Sequence, residues 1–486
     1  MNSDDIIINP MTMDLNNGQL IEASAGTGKT YTITNLCLRL LLGRGSPWQR
    51  PLAINEILIL TFTIAATAEL KHRVAKRIEE ARHSFRSGDD KGDEFLSYLR
   101  KTSSNTSTDL KLLTAASQLI DEASIFTIHG FCARVLGEQT FESGTLFDQE
   151  VNTEQEHLLK LAAEDCFRTE IMTLQEDIRQ VALALWPSPA ILAKKLSPLL
   201  FRGELQIFPP KTLDNVHTVV SQALEAKRRW LDENVEDFLA RAGLNKGRNP
   251  YLRLNQMSEF CREKSLDLNN ELWKIYSAET VTKTIKKGSA LPKHPVLDLI
   301  NKVLIGVKTT KTNLWHEVFA TVGNLMQAHK DTWNKMTMND LLTTLADAVS
   351  RPSSTLPDAI ADRWPIALID EYQDTDITQN QIFSRIYQSG KNARALLMIG
   401  DPKQAIYSFR GADVYTYINA RRSANKRHNL VVNWRSSPTL IRATNFLFQK
   451  PGIFGNDADM PFLPVTPAPI NAKMKMLVRG EQSTPY

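Results

Sequence analysis

The stretch Leu20-Ile-Glu-Ala-Ser-Ala-Gly-Thr-Gly-Lys-Thr30 constrains this chain more than any other. From Ala23 it fits the phosphate-binding loop G-x-x-x-x-G-K-[ST], with Ala in place of the first Gly. Leu20 and Ile21 deliver the chain as a short apolar strand. Gly26 and Gly28 let backbone N–H groups turn inward around a polyphosphate without Cβ clashes. Lys29 is suited to the β- and γ-phosphates, and the Thr30 hydroxyl to Mg²⁺. Tyr31 to Leu42 has helical apolar spacing, so the positive end of a helix would face the phosphates. Ala23, Ser24, Ala25, Gly26, Thr27, Gly28, Lys29 and Thr30 are therefore a candidate ATP cradle. A glycine-rich turn alone would mimic part of it, but strand, loop, Lys-Thr and helix stand here in working order.

A chain of 486 residues exceeds one core and implies two to four domains. With 42% hydrophobic and 23% charged residues, wholesale disorder is excluded. The net charge of +4 permits a nucleic-acid partner without arguing for one. Cys37, Cys132, Cys166 and Cys261 form no C-x-x-C pair, which points to buried reduced thiols rather than disulfides or zinc. Residues 1–10 lack a basic-then-apolar signal layout, and no stretch reaches the roughly 18 apolar residues of a membrane span. The expected location is cytoplasmic.

Ile57-Leu-Ile-Leu-Thr61, Ile125-Phe-Thr-Ile128, Ile366-Ala-Leu-Ile-Asp370 and Ala395-Leu-Leu-Met-Ile399 read as buried parallel strands. A further strand is expected at 430–433. Helices are expected over 63–82, 130–136, 339–349 and 438–449, an alternation typical of an α/β sheet with crossover connections. Residues 84–108 read as an inserted polar surface excursion, part of it helical. From about 153 to 335 the pattern is almost wholly helical, indicating a domain inserted into the α/β one. Its basic clusters (Lys227, Arg228, Arg229; Lys283, Lys286, Lys287; Lys308, Lys311) fit either a phosphate track or, more commonly, solvated helix faces.

Asp370 and Glu371 end an apolar strand, where ligands of open α/β sheets bind. Asp370 is suited to hold Mg²⁺ and Glu371 to deprotonate an attacking water. After the next strand comes Gly400-Asp-Pro-Lys-Gln404. Gln404 is neutral and can hydrogen-bond a γ-phosphate while sensing its loss. Tyr407, Phe409 and Arg410 follow, the composition of a platform on which single-stranded bases stack, although core aromatics would serve equally.

Asp370-Glu-Tyr-Gln-Asp374, Gly400-Asp-Pro-Lys-Gln-Ala-Ile-Tyr-Ser-Phe-Arg-Gly-Ala-Asp413 and Asn433-Trp-Arg-Ser436 resemble motifs II, III and IV of the superfamily 1 helicases of the UvrD/Rep/PcrA kind. Thr61-Phe-Thr63 with Ala66, Glu69, Leu70 and Arg73 resembles motif Ia, and Thr127-Ile-His-Gly-Phe-Cys132 motif Ib. Within that group the phosphate loop, Ala65-Ala-Thr-Ala-Glu-Leu70, Phe126-Thr-Ile-His-Gly-Phe-Cys132 and Phe141-Glu-Ser-Gly144 resemble the RecB branch, subunits of RecBCD helicase–nucleases (exonuclease V).

The resemblance implies an α/β fold: a P-loop NTPase (RecA-like) parallel sheet, a large, mostly helical inserted domain, and the start of a second RecA-like domain. The expected boundaries are 1–150 and 336–425 for the first motor domain, 151–335 for the insertion, and 426–486 for the opening of the second. It also implies an ATP-dependent 3′→5′ DNA helicase acting in double-strand break repair and recombination, with ATP and Mg²⁺ as cofactors. Single-stranded or duplex-end DNA and RecC-like and RecD-like subunits are the implied partners. Arg435 would contact the γ-phosphate and Trp434 would stack on adenine, with Tyr31 opposite. Thr61, Phe62, Thr63 and His129 would lie along the DNA strand, with Tyr407, Phe409 and Arg410. Only Gln19 stands near the place of the family's adenine-reading glutamine, too close to the loop for that role. Motifs V and VI and a nuclease domain are not found by residue 486, so unwinding by this polypeptide alone is not expected. A UvrD/Rep-type or AddA-like helicase, and an ATP- and DNA-binding fragment without motor activity, remain the alternatives.

Overall fold

The computed structural model describes residues 5–486 apart from 46, 49, 140–149, 153–154, 201–210, 212–215, 287–291, 334, 389–393, 407–412, 456–458, 475–476, 479–480 and 483–486. Two compact units emerge: Met1–Gln149 with Met338–Tyr486, and Glu150–Thr337.

The first unit is an α/β body around a seven-stranded sheet. Its strands are β1 (Asp5–Ile7), β2 (Asn17–Ala23), β3 (Ile57–Thr61), β4 (Ile125–Thr127), β5 (Ile366–Ile369), β6 (Ala395–Gly400) and β7 (Lys426–Leu430). They lie in the order β1-β7-β2-β6-β5-β3-β4, and every pairing is parallel. The crossovers include α1 (Lys29–Leu41), α2 (Ile64–Ser87), α3 (Ile128–Glu138), α4 (Met338–Ser350), α5 (Ile377–Tyr387) and α6 (Val414–Ser423). Strands buried on both faces read as unbroken apolar runs, which is why β3, β5 and β6 are legible. One face packs Ile21, Ile57, Ile59, Ile366, Leu368, Leu397 and Ile399 against Leu36 and Leu40 of α1 and Leu70, Val74 and Ile78 of α2. Each such side chain contributes about 1.5–3 kcal/mol of burial energy.

Two strands carry no apolar signature. β1 is too short for periodicity to mark it. β7 reads Lys-Arg-His-Asn-Leu, yet His428 and Asn429 are buried in it. For His428 a cross-strand bond makes that tolerable: its Nε2 donates to Gln19 Oε1 at 2.8 Å, while Gln19 Nε2 donates to the carbonyls of Asp14 and Asn16. The expected domain start at 426 is thereby corrected. Lys426–Leu430 pairs with β2 and belongs to the first sheet, and only the following Val432–Asn433 leaves it to pair with Thr466–Pro467. The polar excursion at 84–108 is largely helical, with helices Glu94–Lys101 and Thr106–Gln118 capped by Asp93 and Asn105.

Among its described residues the second unit is mostly helical, with one isolated bridge between Leu244 and Ile285 and the strand Glu150–Asn152, which pairs in parallel with Lys335–Thr337 where the chain enters and leaves. Its axis is the helix Pro295–Thr332, whose buried residues Val296, Ile300, Val303, Val307, Leu314, Val318 and Val322 form one stripe at helical spacing. The stripe packs on helices Gln155–Thr169 and Val216–Asp232.

Part of the basic clusters is engaged by neighbouring groups within this unit. Arg228, Arg229 and Lys283 pair with Glu225, Glu233 and Glu279. Lys227 is only 5% exposed, donates to the carbonyls of Glu263 and Ser265 at 3.0 and 2.8 Å, and lies 4.3 Å over the Phe260 ring. It is not available to a phosphate backbone. Lys227→Ala is expected to destabilise this unit by about 2–4 kcal/mol, through orphaned carbonyls and lost packing of the stem. Denaturant unfolding checks this, and the salt dependence of single-stranded DNA binding should stay unchanged.

Candidate functional site

Parallel pairing sends the C-terminal ends of all the sheet strands to one edge, and the motif residues are in the loops there. β2 leads into Ser24–Gly28, β3 into Phe62 and Thr63, β4 into His129, β5 into Asp370 and Glu371, β6 into Asp401–Gln404, and β7 into Asn433–Arg435.

The phosphate loop has the backbone its glycines allow. Gly26 and Gly28 take φ of 80° and 96°, the left-handed region that side chains disfavour, and Gly28 caps α1. A Cβ on Gly26 would stand 2.9 Å from Cβ of Arg435. Asn433 fastens the loop from the other side: its Nδ2 donates to the Ala25 carbonyl at 2.9 Å, and its Oδ1 accepts from the N–H groups of Arg435 and Ser436, both at 2.9 Å. The Trp434 N–H donates to the Gly26 carbonyl at 2.8 Å. Trp434 and Tyr31 therefore flank Gly28 and remain 57% and 47% exposed. Arg77 supports Tyr31 from behind, 5.0 Å from the ring centroid, and is itself held by Asn35 and Asp93. The Arg435 side chain is exposed beside the loop.

Lys29 Nζ donates to Glu371 Oε1 at 2.8 Å and Oε2 at 2.7 Å, joining residues 342 positions apart. Glu371 has φ 53°, a left-handed conformation costing roughly 1–3 kcal/mol in a non-glycine residue. Its N–H donates to Asp370 Oδ1 at 2.9 Å. Beside this pair opens a cavity of about 370 Å³. Thr30, Asp370, Glu371, Asp374 and Gln404 line it together with Thr61, Phe62, Thr63 and Arg73. Gln404 is not idle there, since its Nε2 donates to Asp401 Oδ2 at 2.8 Å. Thr61 Oγ1 lies 2.6 Å from Thr67 Oγ1, and Thr63 caps α2 by accepting from the Ala66 N–H. His129, at the start of α3, is half-buried, and that burial lowers its pKa against an opposing pull from Asp376. Tyr407, Phe409 and Arg410 lie outside the described residues, as does the stretch 141–144.

Burial, and then the neighbouring Glu371 charge, push Asp370 up to about 6, with Lys29 pulling the other way. The same causes push Asp374 up to about 6. Both carboxyls bind protons more tightly folded than unfolded, so stability falls as pH rises from about 4 to about 6 and stays reduced above that. Asp370→Asn should therefore stabilise the ligand-free protein at pH 7 by on the order of 1–2 kcal/mol, seen as a higher melting temperature, and the gain should vanish near pH 4. A pH series of thermal melts for both proteins measures it.

The residues present fit a nucleotide with Mg²⁺. A Cβ on Gly28 would stand between the exposed Trp434 and Tyr31, 3.8 and 3.9 Å from their nearest atoms, and Asp374 Oδ1 is buried with no hydrogen-bond partner. Among the described residues no group of three or more His, Cys, Asp or Glu side chains could hold a metal. Thr30 and Asp370 are hard oxygen donors, and Mg²⁺ commonly uses one or two such ligands together with substrate phosphates and water.

Three supporting residues carry no role in the sequence reading: Asn433, Gln373 and Arg77. Asn433 and Gln373 stand inside motifs already singled out, and a polar residue beside a motif's chemical group is the one available signal. Arg77 offers none, because it reaches Tyr31 from another helix.

Residues 7–425 match the family model for the UvrD/REP helicase N-terminal domain. The chain is 34% identical to the RecBCD enzyme subunit RecB of Escherichia coli (strain K12), over 98% of this chain and 41% of that protein. It is 33% identical to the RecB subunit of Haemophilus influenzae, over 93% and 42% of the two chains. To that of Buchnera aphidicola subsp. Acyrthosiphon pisum it is 30% identical, over 98% and 42%. The chain thus spans about two-fifths of the length of these relatives, and the resemblance to RecB read from the motifs is borne out. With most of its length matched by that model, the chain belongs to the UvrD/REP helicase family.

Proposed function

We propose that this chain carries the ATP site and part of the single-stranded DNA track of a 3′→5′ helicase subunit in a RecBCD-like assembly. Its role would be double-strand break repair and recombination, with RecC-like and RecD-like partners. The observation that carries the proposal is the single cavity lined both by Thr30, Asp370, Glu371 and Gln404 and by Phe62 and Thr63. Hydrolysis machinery and a DNA-tracking motif are there within one side chain of each other. The seven-stranded parallel sheet supports a RecA-like motor domain, with Glu150–Thr337 as its inserted helical domain.

In this mechanism Lys29 leaves Glu371 for the β- and γ-phosphates when ATP arrives. Thr30 and Asp370 would hold Mg²⁺, which when bound would supply charge neutralisation at the phosphate oxygens. Glu371, freed from Lys29, takes the proton of the attacking water. Arg435 offers its guanidinium to the charge that spreads in the loose transition state. Tyr31 and Trp434 receive adenine between them, a sequence-tolerant stack like those of bases on aromatic platforms. Gln404 exchanges its bond to Asp401 for the γ-phosphate and reports its loss. Bases would stack on Phe62, Tyr407 and Phe409, while Thr61, Thr63 and His129 follow the strand backbone and Arg410 links it to the nucleotide.

The test is unwinding polarity in the assembly purified through this chain. Unwinding from a duplex with a 3′ single-stranded tail should be lost in Lys29→Gln, while activity from a 5′ tail survives. Equal loss from both tails, or loss confined to the 5′ tail, would refute the assigned direction.

A further inference from the structure

Glu371 has two side-chain donors, and only one of them can stay when ATP binds. Lys29 is needed at the phosphates. Gln373 remains: its Nε2 donates to Glu371 Oε2 at 2.8 Å. The same amide reaches in the opposite direction, where its Oε1 accepts the Asp401 N–H at 3.0 Å. Donor and acceptor ends are thus both fixed, and Gln373 is almost wholly buried. Gly400 is shaped around this contact, because a Cβ there would stand 2.4 Å from Gln373 Oε1. Beyond Asp401 the chain of bonds continues, with Asp401 Oδ2 accepting from Gln404 Nε2 at 2.8 Å and Asp401 Oδ1 pairing with Lys403 at 2.7 Å. A single side chain therefore ties the carboxylate after β5 to the loop after β6.

We propose that Gln373 is the positioning residue that aims the Glu371 carboxylate during hydrolysis and ties its aim to the loop Asp401–Gln404, so that hydrolysis follows the state of that loop. The inference rests on the proton-accepting role proposed above for Glu371. An amide suits this role because it carries no charge to compete with Lys29 or the phosphates, and it is directional at both ends. Gln404, when it turns toward a phosphate, releases Asp401, and the change reaches Glu371 through one amide.

The experiment compares Gln373→Ala and Gln373→Glu with wild type in the assembly purified through this chain, reading the part of ATP hydrolysis that Lys29→Gln removes. Gln373→Ala should lower kcat roughly 10- to 100-fold with KM for ATP within about twofold, since a misaimed base slows the chemical step and not binding. Gln373→Glu keeps the shape and the acceptor for the Asp401 N–H but sets a second charge against Glu371. It should lower kcat and move the acid limb of its pH profile upward, because a like charge favours the protonated carboxyl. Single-stranded DNA should stimulate both variants less than wild type. Gln373→Glu also serves if the alanine variant does not fold. The inference is overturned if Gln373→Glu keeps wild-type kcat, pH profile and DNA stimulation, or if kcat falls only in step with melting temperature. If Lys29→Gln removes no hydrolysis at all, the assignment of Glu371 itself fails, a different result from either.

Discussion

Lys29→Gln is expected to lower ATP hydrolysis by roughly 10²- to 10³-fold, the usual cost of removing one preorganised donor from developing transition-state charge. Lys29 lies in the first turn of α1, where the helix end and the loop amides already favour an anion. It is also the cation that Glu371 holds through both carboxylate oxygens. Removing it withdraws a phosphate contact and leaves Glu371, Asp370 and Asp374 clustered without their shared positive neighbour. Lys29 pulls the pKa of Asp370 and of Asp374 down, so both should titrate higher in the variant. Nucleotide affinity should fall with the rate, whereas single-stranded DNA affinity should stay within about twofold, because Lys29 is not among the residues beside Phe62 and Thr63. Steady-state hydrolysis and fluorescence anisotropy with a labelled oligonucleotide separate the two effects.

Glu371→Gln should produce a loss of similar or greater size, roughly 10²- to 10⁴-fold in kcat, with a different signature. Glutamine keeps the side chain's length and one acceptor oxygen, and removes the charge, the basicity and the second acceptor, none of which Lys29 uses once it has moved to the phosphates. ATP binding should therefore be preserved, and KM should not rise. A variant that binds ATP normally and hydrolyses it slowly identifies Glu371 as the proton acceptor. One that loses affinity in proportion to rate would identify the carboxylate as a structural tether for Lys29. The left-handed backbone at Glu371, set by the turn after β5, is unchanged by the substitution, so folding should not confuse the comparison.

Much of this architecture is legible in the residues because buried parallel strands have to be apolar. Ile57–Thr61, Ile366–Ile369 and Ala395–Gly400 could hardly be anything else. β7 shows the limit. Its His428 and Asn429 are buried polar groups, and what makes His428 acceptable is Gln19, some four hundred residues away in sequence. No local pattern encodes such a partner, and the expected boundary at 426 is misplaced for that reason. The candidate site divides in the same way. Chemical type marks Lys29, Asp370, Glu371 and Gln404 within their own motifs, and the fold brings the last three to one cavity, with Lys29 bound to Glu371 beside it. What connects them depends on distances between loops that spacing does not contain: the Lys29–Glu371 pair, the two-ended Gln373 amide, and Asn433 locked onto the phosphate loop. Lys227 is the reverse case, a lysine in a basic run that turns inward because two backbone carbonyls and an aromatic face receive it.

In the proposed function one cavity hydrolyses ATP in response to single-stranded DNA. Its most direct measurement is the rate of ATP hydrolysis by the assembly purified through this chain, titrated with a single-stranded oligonucleotide, for wild type and Glu371→Gln. Hydrolysis should rise with oligonucleotide to saturation in wild type, with that rise abolished or reduced at least roughly tenfold in the variant. Hydrolysis that responds equally to DNA in both proteins, or that depends on Glu371 but not on DNA, would contradict it.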